Sequence, residues 1–278
     1  MEHSASARWR EQLLRWTAPP PEDSDPAAPP TDGWRAHADR FRALNTSLRG
    51  REEPFVRFLQ PWLPPSATVL DVGAGGGRYA LPLAERGVRV TAVEPSEGMR
   101  GVLAEAASER GLNLTIVPQR WPPAPVEIEA ADVVICANVA YDVADLAPFV
   151  QALDQTARRL VAVALTLTHP VGHTADLWQQ FRGWTVPDGP TYLDVAAVVF
   201  ETGIACNVTL LPTAPTLRFA DWDAAVAFYR RRLGLRPDAV RDAALRDALA
   251  STVVAAADAL VVQPHERQSA VIWWEKTK

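Results

Sequence analysis

Cysteine is almost missing from this chain: its 278 residues hold only Cys136 and Cys206, both within apolar runs. Two such residues cannot supply a disulfide framework, and a free cysteine in an apolar run behaves as a small buried hydrophobe. A reducing, cytoplasmic setting is the expectation. The first segment, MEHSASARWREQLLRW, has no continuous apolar stretch, which speaks against a secretory signal and against a membrane anchor. Basic charge is not in excess either. The 28 Lys and Arg against 33 Asp and Glu leave a formal charge of −5, the wrong sign for a protein whose affinity comes from neutralising phosphates. Neither nucleic acid nor membrane is therefore an expected partner, and the run Arg230-Arg231-Arg232 beside a helical stripe reads as a solvated face. Hydrophobic residues at 48% and charged residues at 22% suffice for a packed core. The length fits one sizeable core with a smaller cap.

Residues 17–33 hold six prolines among acidic and small residues, a composition that resists helix and sheet and reads as a linker. Before it, Trp9, Leu13 and Trp16 recur at helical spacing, so 1–33 is expected to be a short amphipathic helix plus a linker. Residues 34–66 carry two more helical stripes, Trp34, Phe41 and Leu44, then Phe55, Phe58 and Leu59, expected as cap helices. From Thr68 short apolar runs alternate with helical segments, the pattern of parallel βαβ units. Strands are expected at Thr68–Val72, Val88–Val93, Leu112–Val117, Ala131–Ala137 and Leu160–Thr166. A sixth is expected at Ile204–Leu211 and a last at Ala270–Trp274. Ser96 caps the helix carrying Met99, Val102 and Leu103, and Asp145 caps the stripe from Leu146 to Leu160. Beyond Thr168 the alternation breaks, so 67–278 reads as one domain with cap insertions at 169–190 and 219–260.

The segment TVLDVGAGGGRYA sets glycine at 73, 75, 76 and 77 between a strand and a helix. Such a turn lets backbone approach a ligand closely, and the N–H groups of a helix start attract polar or anionic groups. Glu94 ends the next strand, about 20 residues on, where an acid grips a ribose hydroxyl pair. The dinucleotide fingerprint G-x-G-x-x-G would need glycine at 78, and that residue is Arg78. A nicotinamide oxidoreductase is thereby the weaker reading.

D-V-G-A-G-G-G at 71–77 followed by V-E-P-S at 93–96 resembles the motifs of class I S-adenosylmethionine-dependent methyltransferases, over roughly 34–166 and the last strand. The resemblance implies an α/β, Rossmann-like, mostly parallel seven-stranded sheet whose antiparallel last strand lies between the fifth and sixth. It implies S-adenosylmethionine as cofactor. Asp71, Gly73 and Gly75 would hold its methionyl portion, Glu94 with Pro95 its ribose, and Met99 the adenine, although Met99 fits a core position equally well. After the third strand, Gln119, Arg120 and Trp121 stand where the family places its adenine contacts, without the usual Asp. Asn138 and Tyr141, at the end of the fourth strand, would lie beside the sulfonium, with a turn-forming role for Asn138 as the alternative. Phe41 would face the cofactor as aromatic residues before the first strand do in related enzymes. The absence of an Asn-Pro-Pro-aromatic run disfavours amide-directed and adenine-directed relatives.

His169, His173 and Asp176 imitate a metal triad, but Pro170 and Gly172 break the helix that an i, i+4 pair of imidazoles requires. No metal is expected. His169, in a loop after the fifth strand, and Tyr141 are the candidate catalytic groups. Aromatics at 178–192 are candidate substrate contacts. The expectation is methyl transfer to oxygen or nitrogen of a small molecule, with a non-catalytic cofactor-binding module as the alternative. The acceptor and the oligomeric state are not legible.

Overall fold

The computed structural model describes residues 4–16, 18–23, 32, 34–122, 128–167, 172–212, 217–256, 259–262 and 268–276. Its strands are β1 (Thr68–Val72), β2 (Arg89–Val93), β3 (Thr115–Val117), β4 (Ala131–Ala137), β5 (Ala157–Thr166), β6 (Asn207–Pro212), β7 (Arg218–Phe219), β8 (Val253–Ala255), β9 (Leu260–Val262) and β10 (Gln268–Glu275). Its helices are α1 (Ala5–Arg15), α2 (Ala38–Leu48), α3 (Pro54–Leu59), α4 (Ala80–Glu85), α5 (Glu97–Glu109), α6 (Leu146–Thr156), α7 (Ala175–Arg182), α8 (Tyr192–Glu201), α9 (Trp222–Arg232) and α10 (Ala239–Leu249).

Seven strands form one sheet in the order β3-β2-β1-β4-β5-β10-β6. β10 is antiparallel to both β5 and β6, while β1 to β5 pair in parallel. The expected seven-stranded arrangement is the observed one. Side chains alternate between the faces of a pleated strand. Leu70, Val134 and Val163 accordingly enter a core with α1, α6 and α8, and Val69, Val133 and Ala162 enter a second core with α3, α4 and α5. Both faces are covered, which is why these strands read as continuous apolar runs. Cys136 is fully buried and Cys206 partly so, both as free thiols.

The helical stripe expected to run through Ala157 and Leu160 ends at Thr156, because Ala157 already pairs with Ala131 as the first residue of β5. Asp145 makes no side-chain cap on α6 and instead pairs with Arg10 of α1. Trp9 is wholly buried between α1 and the sheet core, its Nε1 donating to the Val143 carbonyl at 2.7 Å. α1 thus belongs to the core of the large sheet. Residues 18–22, read as linker, are held in place: the Glu22 N–H donates to the Gly234 carbonyl at 2.8 Å, and its carboxylate accepts from the Arg236 N–H and from Arg241.

A third core joins α7, α9 and α10 to a small antiparallel sheet, β7-β9-β8, that the sequence pattern did not announce. Trp178, Phe181 and Trp184 pack into this core. The expectation of a substrate-contacting aromatic cluster there is corrected, since none of the three lines the cavity described below. Among the described residues no helix is long and apolar enough to cross a membrane.

Candidate functional site

The strand order reverses between β1 and β4, and in open α/β sheets ligands sit at the carboxyl ends of strands on either side of such a switch. Past β1, the Gly73 and Ala74 N–H groups both donate to the Val93 carbonyl, at 2.8 and 3.1 Å. Gly73 has φ +72°, and a Cβ there would stand 2.3 Å from Cγ2 of Val139. Only glycine lets the end of β1 pass beneath the loop after β4. Glu94, buried at the end of β2, accepts from the Gly75 N–H and the Ser96 N–H, each at 2.8 Å. Burial raises its carboxyl above the ordinary value against the pull of those two donors.

The segment before the sheet closes on this loop. Asn45 of α2 donates to the Gly76 carbonyl at 2.7 Å, and Phe41 packs so closely that a Cβ on Gly76 would meet it at 3.0 Å. Arg78, the residue that interrupts the dinucleotide fingerprint, forms a buried pair with Glu53 at 3.0 Å. Asp32 accepts from Ser96 Oγ at 2.8 Å and from the Gly98 N–H at 3.1 Å, adding its own charge to the Ser96 cap of α5. Against partial burial, these donors hold the Asp32 carboxyl below the usual range.

A cavity of about 1870 Å³ opens along this rim. Phe41, Asp71, Gly73, Gly75, Glu94, Pro95, Met99, Gln119, Arg120, Trp121 and Asn138 all line it. Met99 is only 1% exposed, so it is a core residue touching the cavity edge. Tyr141 does not line the cavity. The short 3-10 turn Ala140–Asp142 rotates it inward, where it stacks on Trp9 and donates to the Thr166 carbonyl at 2.9 Å. Burial pushes its phenol up to about 12. The next residue, Asp142, lines the cavity in its place and is exposed there. His169 lies outside the described residues. His173 and Asp176 line the cavity.

The sequence reading missed the groups contributed by the cap, namely His37, Arg40, Phe228, Tyr229 and Arg232. Arg232 belongs to the run read as a solvated face: Arg231 is exposed and Arg230 pairs with Asp242, but Arg232 turns inward. Its one local clue is spacing, since Arg232 falls three and four residues after Tyr229 and Phe228 on the same helical face.

Residues 69–162 match the model of a methyltransferase domain. Residues 69–162 thus form a methyltransferase domain, set on the seven-stranded sheet described above. S-adenosylmethionine is the cofactor that the motifs at 71–77 and 93–96 imply for this domain. The chain is 30% identical over 149 residues to an uncharacterised protein of Haemophilus influenzae, covering 52% of this chain and 53% of that one. It is 36% identical over 84 residues to a ubiquinone biosynthesis O-methyltransferase of Methylobacterium sp., covering 30% and 34%. It is 35% identical over 96 residues to a 23S rRNA (uracil(1939)-C(5))-methyltransferase of Dichelobacter nodosus, covering 33% and 22%. The chain thus spans about half the length, or less, of the curated relatives it matches. The solved structure of magnesium protoporphyrin IX methyltransferase from Synechocystis with bound S-adenosylhomocysteine shares its fold, with TM-score 0.53 and 14% identity over 87% of this chain and 94% of that one.

The residues present fit the cofactor on an observation independent of those matches. Three buried acceptor atoms on the cavity wall, Asp71 Oδ2, Gln119 Oε1 and Asn138 Oδ1, have no donor among the described residues. Buried polar atoms are ordinarily paired, so three orphan acceptors on one wall call for a ligand rich in donors. An ammonium, a ribose diol and an adenine amine supply that set. Asp71, 1% exposed and near Glu94, is pushed up to about 7 by burial first and by that neighbouring carboxylate second. A cationic ligand relieves both causes.

Proposed function

We propose that this chain transfers the methyl group of S-adenosylmethionine to oxygen or nitrogen of a small-molecule acceptor inside the cavity. The observation that carries the reading is the size and polarity of that cavity. At about 1870 Å³ it exceeds the roughly 300–1,000 Å³ of a site for one small ligand. Two ligands fit within it, and the orphan acceptors stand at one end.

The donor brings a methyl group already activated on a sulfonium. The chain's own residues bind, orient and exclude water. Glu94 accepts from the ribose hydroxyls, Asp71 and Asn138 from the amino-acid portion, and Gln119 meets the adenine amine, with Phe41, Met99 and Trp121 as apolar cover. Pro95 and Arg120 complete the rim, and the Gly73–Gly75 backbone lies against the methionyl chain. For an oxygen acceptor Asp142, which lines the cavity, takes the proton. Held in one orientation, the two reactants gain on the order of 7–11 kcal/mol over free encounter. The ubiquinone-pathway relative supports a small acceptor; the net charge of −5 speaks against RNA, the substrate class of the rRNA relative. The paucity of cysteine fits a reducing cytoplasm.

Calorimetric titration with S-adenosylmethionine, S-adenosylhomocysteine and NAD tests the cofactor, and label transfer from methyl-labelled donor to small hydroxy and amino compounds, with RNA as the counter-substrate, tests the acceptor. Binding of the first two alone, with label moving into small molecules, is expected. Tight NAD binding, or label in RNA only, would refute the proposal.

A further inference from the structure

Four acceptors stand along the cavity rim in the order of the strands that carry them: Gln119 after β3, Glu94 after β2, Asp71 in β1 and Asn138 after β4. A ligand laid along that row meets Gln119 at one end and Asn138 at the other. The Asn138 end rests on a constrained backbone. Asn138 has φ +60°, in the left-handed region that residues with a side chain seldom occupy. Its Oδ1 is buried with no donor among the described residues, and the next side chain, Val139, lies against Gly73. Such a conformation persists only where its surroundings impose it. Three hydrogen bonds fasten the loop 138–143. The Asn138 N–H donates to the Ala164 carbonyl of β5 at 2.8 Å, and the Tyr141 hydroxyl donates to the Thr166 carbonyl at the end of β5 at 2.9 Å. Trp9 of α1 donates from Nε1 to the Val143 carbonyl at 2.7 Å while its ring stacks on Tyr141. Asn138, Val139, Asp142 and Val143 line the cavity, whereas Trp9 and Tyr141 are buried behind them. α1 is itself anchored: Glu201 of α8 accepts from the Ala5 and Ser6 N–H groups at 3.1 and 2.8 Å, and Arg10 pairs with Asp145.

We propose that Trp9 and Tyr141 are positioning residues for the amino-acid end of the cofactor: from behind the wall they hold the loop after β4 in the conformation that presents Asn138 Oδ1 to the ligand. The inference rests on the reading of this rim as the S-adenosylmethionine site. A binding group is held to its geometry by side chains that packing and hydrogen bonds lock in place behind it. An N-terminal helix remote in sequence thereby sets an affinity to which it contributes no contact. Gln119 and Glu94 stand on the far side of β1 from this loop. Loosening the loop therefore acts on a ligand that extends past β1 and spares one that stops short of it.

The test is calorimetric titration of the full chain with two probes: S-adenosylhomocysteine, which carries the amino-acid portion, and methylthioadenosine, which lacks it. Tyr141→Phe removes the hydroxyl and keeps the ring on Trp9; Trp9→Phe removes the indole N–H and keeps a ring. Each variant is expected to bind S-adenosylhomocysteine roughly fivefold more weakly than wild type, and methylthioadenosine within about twofold of wild type. Asn138→Gly, which suits the left-handed backbone and removes the amide, is expected to show the same split. Adding Tyr141→Phe to it should then weaken S-adenosylhomocysteine no further, because the two act through one contact. A merely structural role moves both probes alike. Equal losses for the two probes, unchanged S-adenosylhomocysteine affinity, or additive effects in the double variant overturns the proposal. Should the variants fail to fold, hydrogen exchange in wild type decides. S-adenosylhomocysteine is expected to slow exchange in both 138–143 and α1 more than methylthioadenosine does, since coupling is reciprocal, and slowing at 138–143 without α1 overturns the proposal. Wild type that binds neither probe would sink the cofactor reading and this inference with it. S-adenosylhomocysteine binding without the split would sink the positioning role alone.

Discussion

Asp71 offers a measurement in which a feature of the site appears as a stability slope. Its carboxyl is 1% exposed, one oxygen has no donor among the described residues, and burial with the Glu94 charge moves it from 3.8 to about 7. The native state therefore holds this proton more tightly than the unfolded chain does. Stability from the group is complete below about pH 4 and is lost as pH rises through about 7. At about 1.4 kcal/mol per pH unit, the whole interval corresponds to about 4 kcal/mol, and the part between pH 5 and pH 8 to about 3 kcal/mol. Asp71→Asn keeps the shape and cannot ionise. Urea unfolding of both proteins at pH 5, 6, 7 and 8 isolates the group together with its coupling to Glu94, because the uncoupled titrations cancel in the difference. The variant should gain about 3 kcal/mol on the wild type from pH 5 to pH 8. S-adenosylhomocysteine affinity should rise over the same interval in wild type and stay level in the variant, since a donor-rich cationic ligand favours the carboxylate. Parallel stability curves would show that Asp71 is ionised in the folded protein at all these values, and the ligand-demand argument would lose its support.

Glu94→Ala removes both acceptors at the end of β2 and should weaken S-adenosylhomocysteine binding about a hundredfold or more, two charge-assisted hydrogen bonds being lost; an unchanged calorimetric affinity would take the acid out of the site. Gly73→Ala should cost several kcal/mol in denaturant melts, because the new Cβ meets Val139 Cγ2 at 2.3 Å at a φ of +72°. Adding Val139→Ala should restore only the steric part, and full recovery or none would refute the two-cause account. Trp9→Ala, which empties a fully buried site and strips the Val143 carbonyl of its donor, should cost about 3–5 kcal/mol. Deletion of 1–16 should be at least as damaging, and a truncated chain with an unshifted Tm would show that α1 is dispensable to the core.

What was legible in the sequence is what a short window decides. The strand, the glycine run and the acid ending the next strand lie within 27 residues, and each is dictated by local demands on φ, burial and charge. The seven-stranded order followed from the resemblance those residues carry. Illegible features depend on partners far along the chain. The proline-rich segment reads as linker until Glu22 is seen between Arg236 and Arg241, over 210 residues away. The strands β7, β8 and β9, of two or three residues each, are too short to show a period of two. Tyr141 shows a different limit. Its place after β4 sets it near the rim, but the 3-10 turn sends Tyr141 into the core and leaves Asp142 on the cavity.

The departures from ordinary packing sort themselves by chemistry. At the β1–β4 end the orphan atoms of the cavity wall, Asp71 Oδ2, Gln119 Oε1 and Asn138 Oδ1, are all acceptors. An unsatisfied buried polar group costs about 1–3 kcal/mol. Random imperfections of packing would mix donors with acceptors. Agreement in type along one wall instead fits a ligand rich in donors. Local rules broken in a consistent direction mark function rather than error.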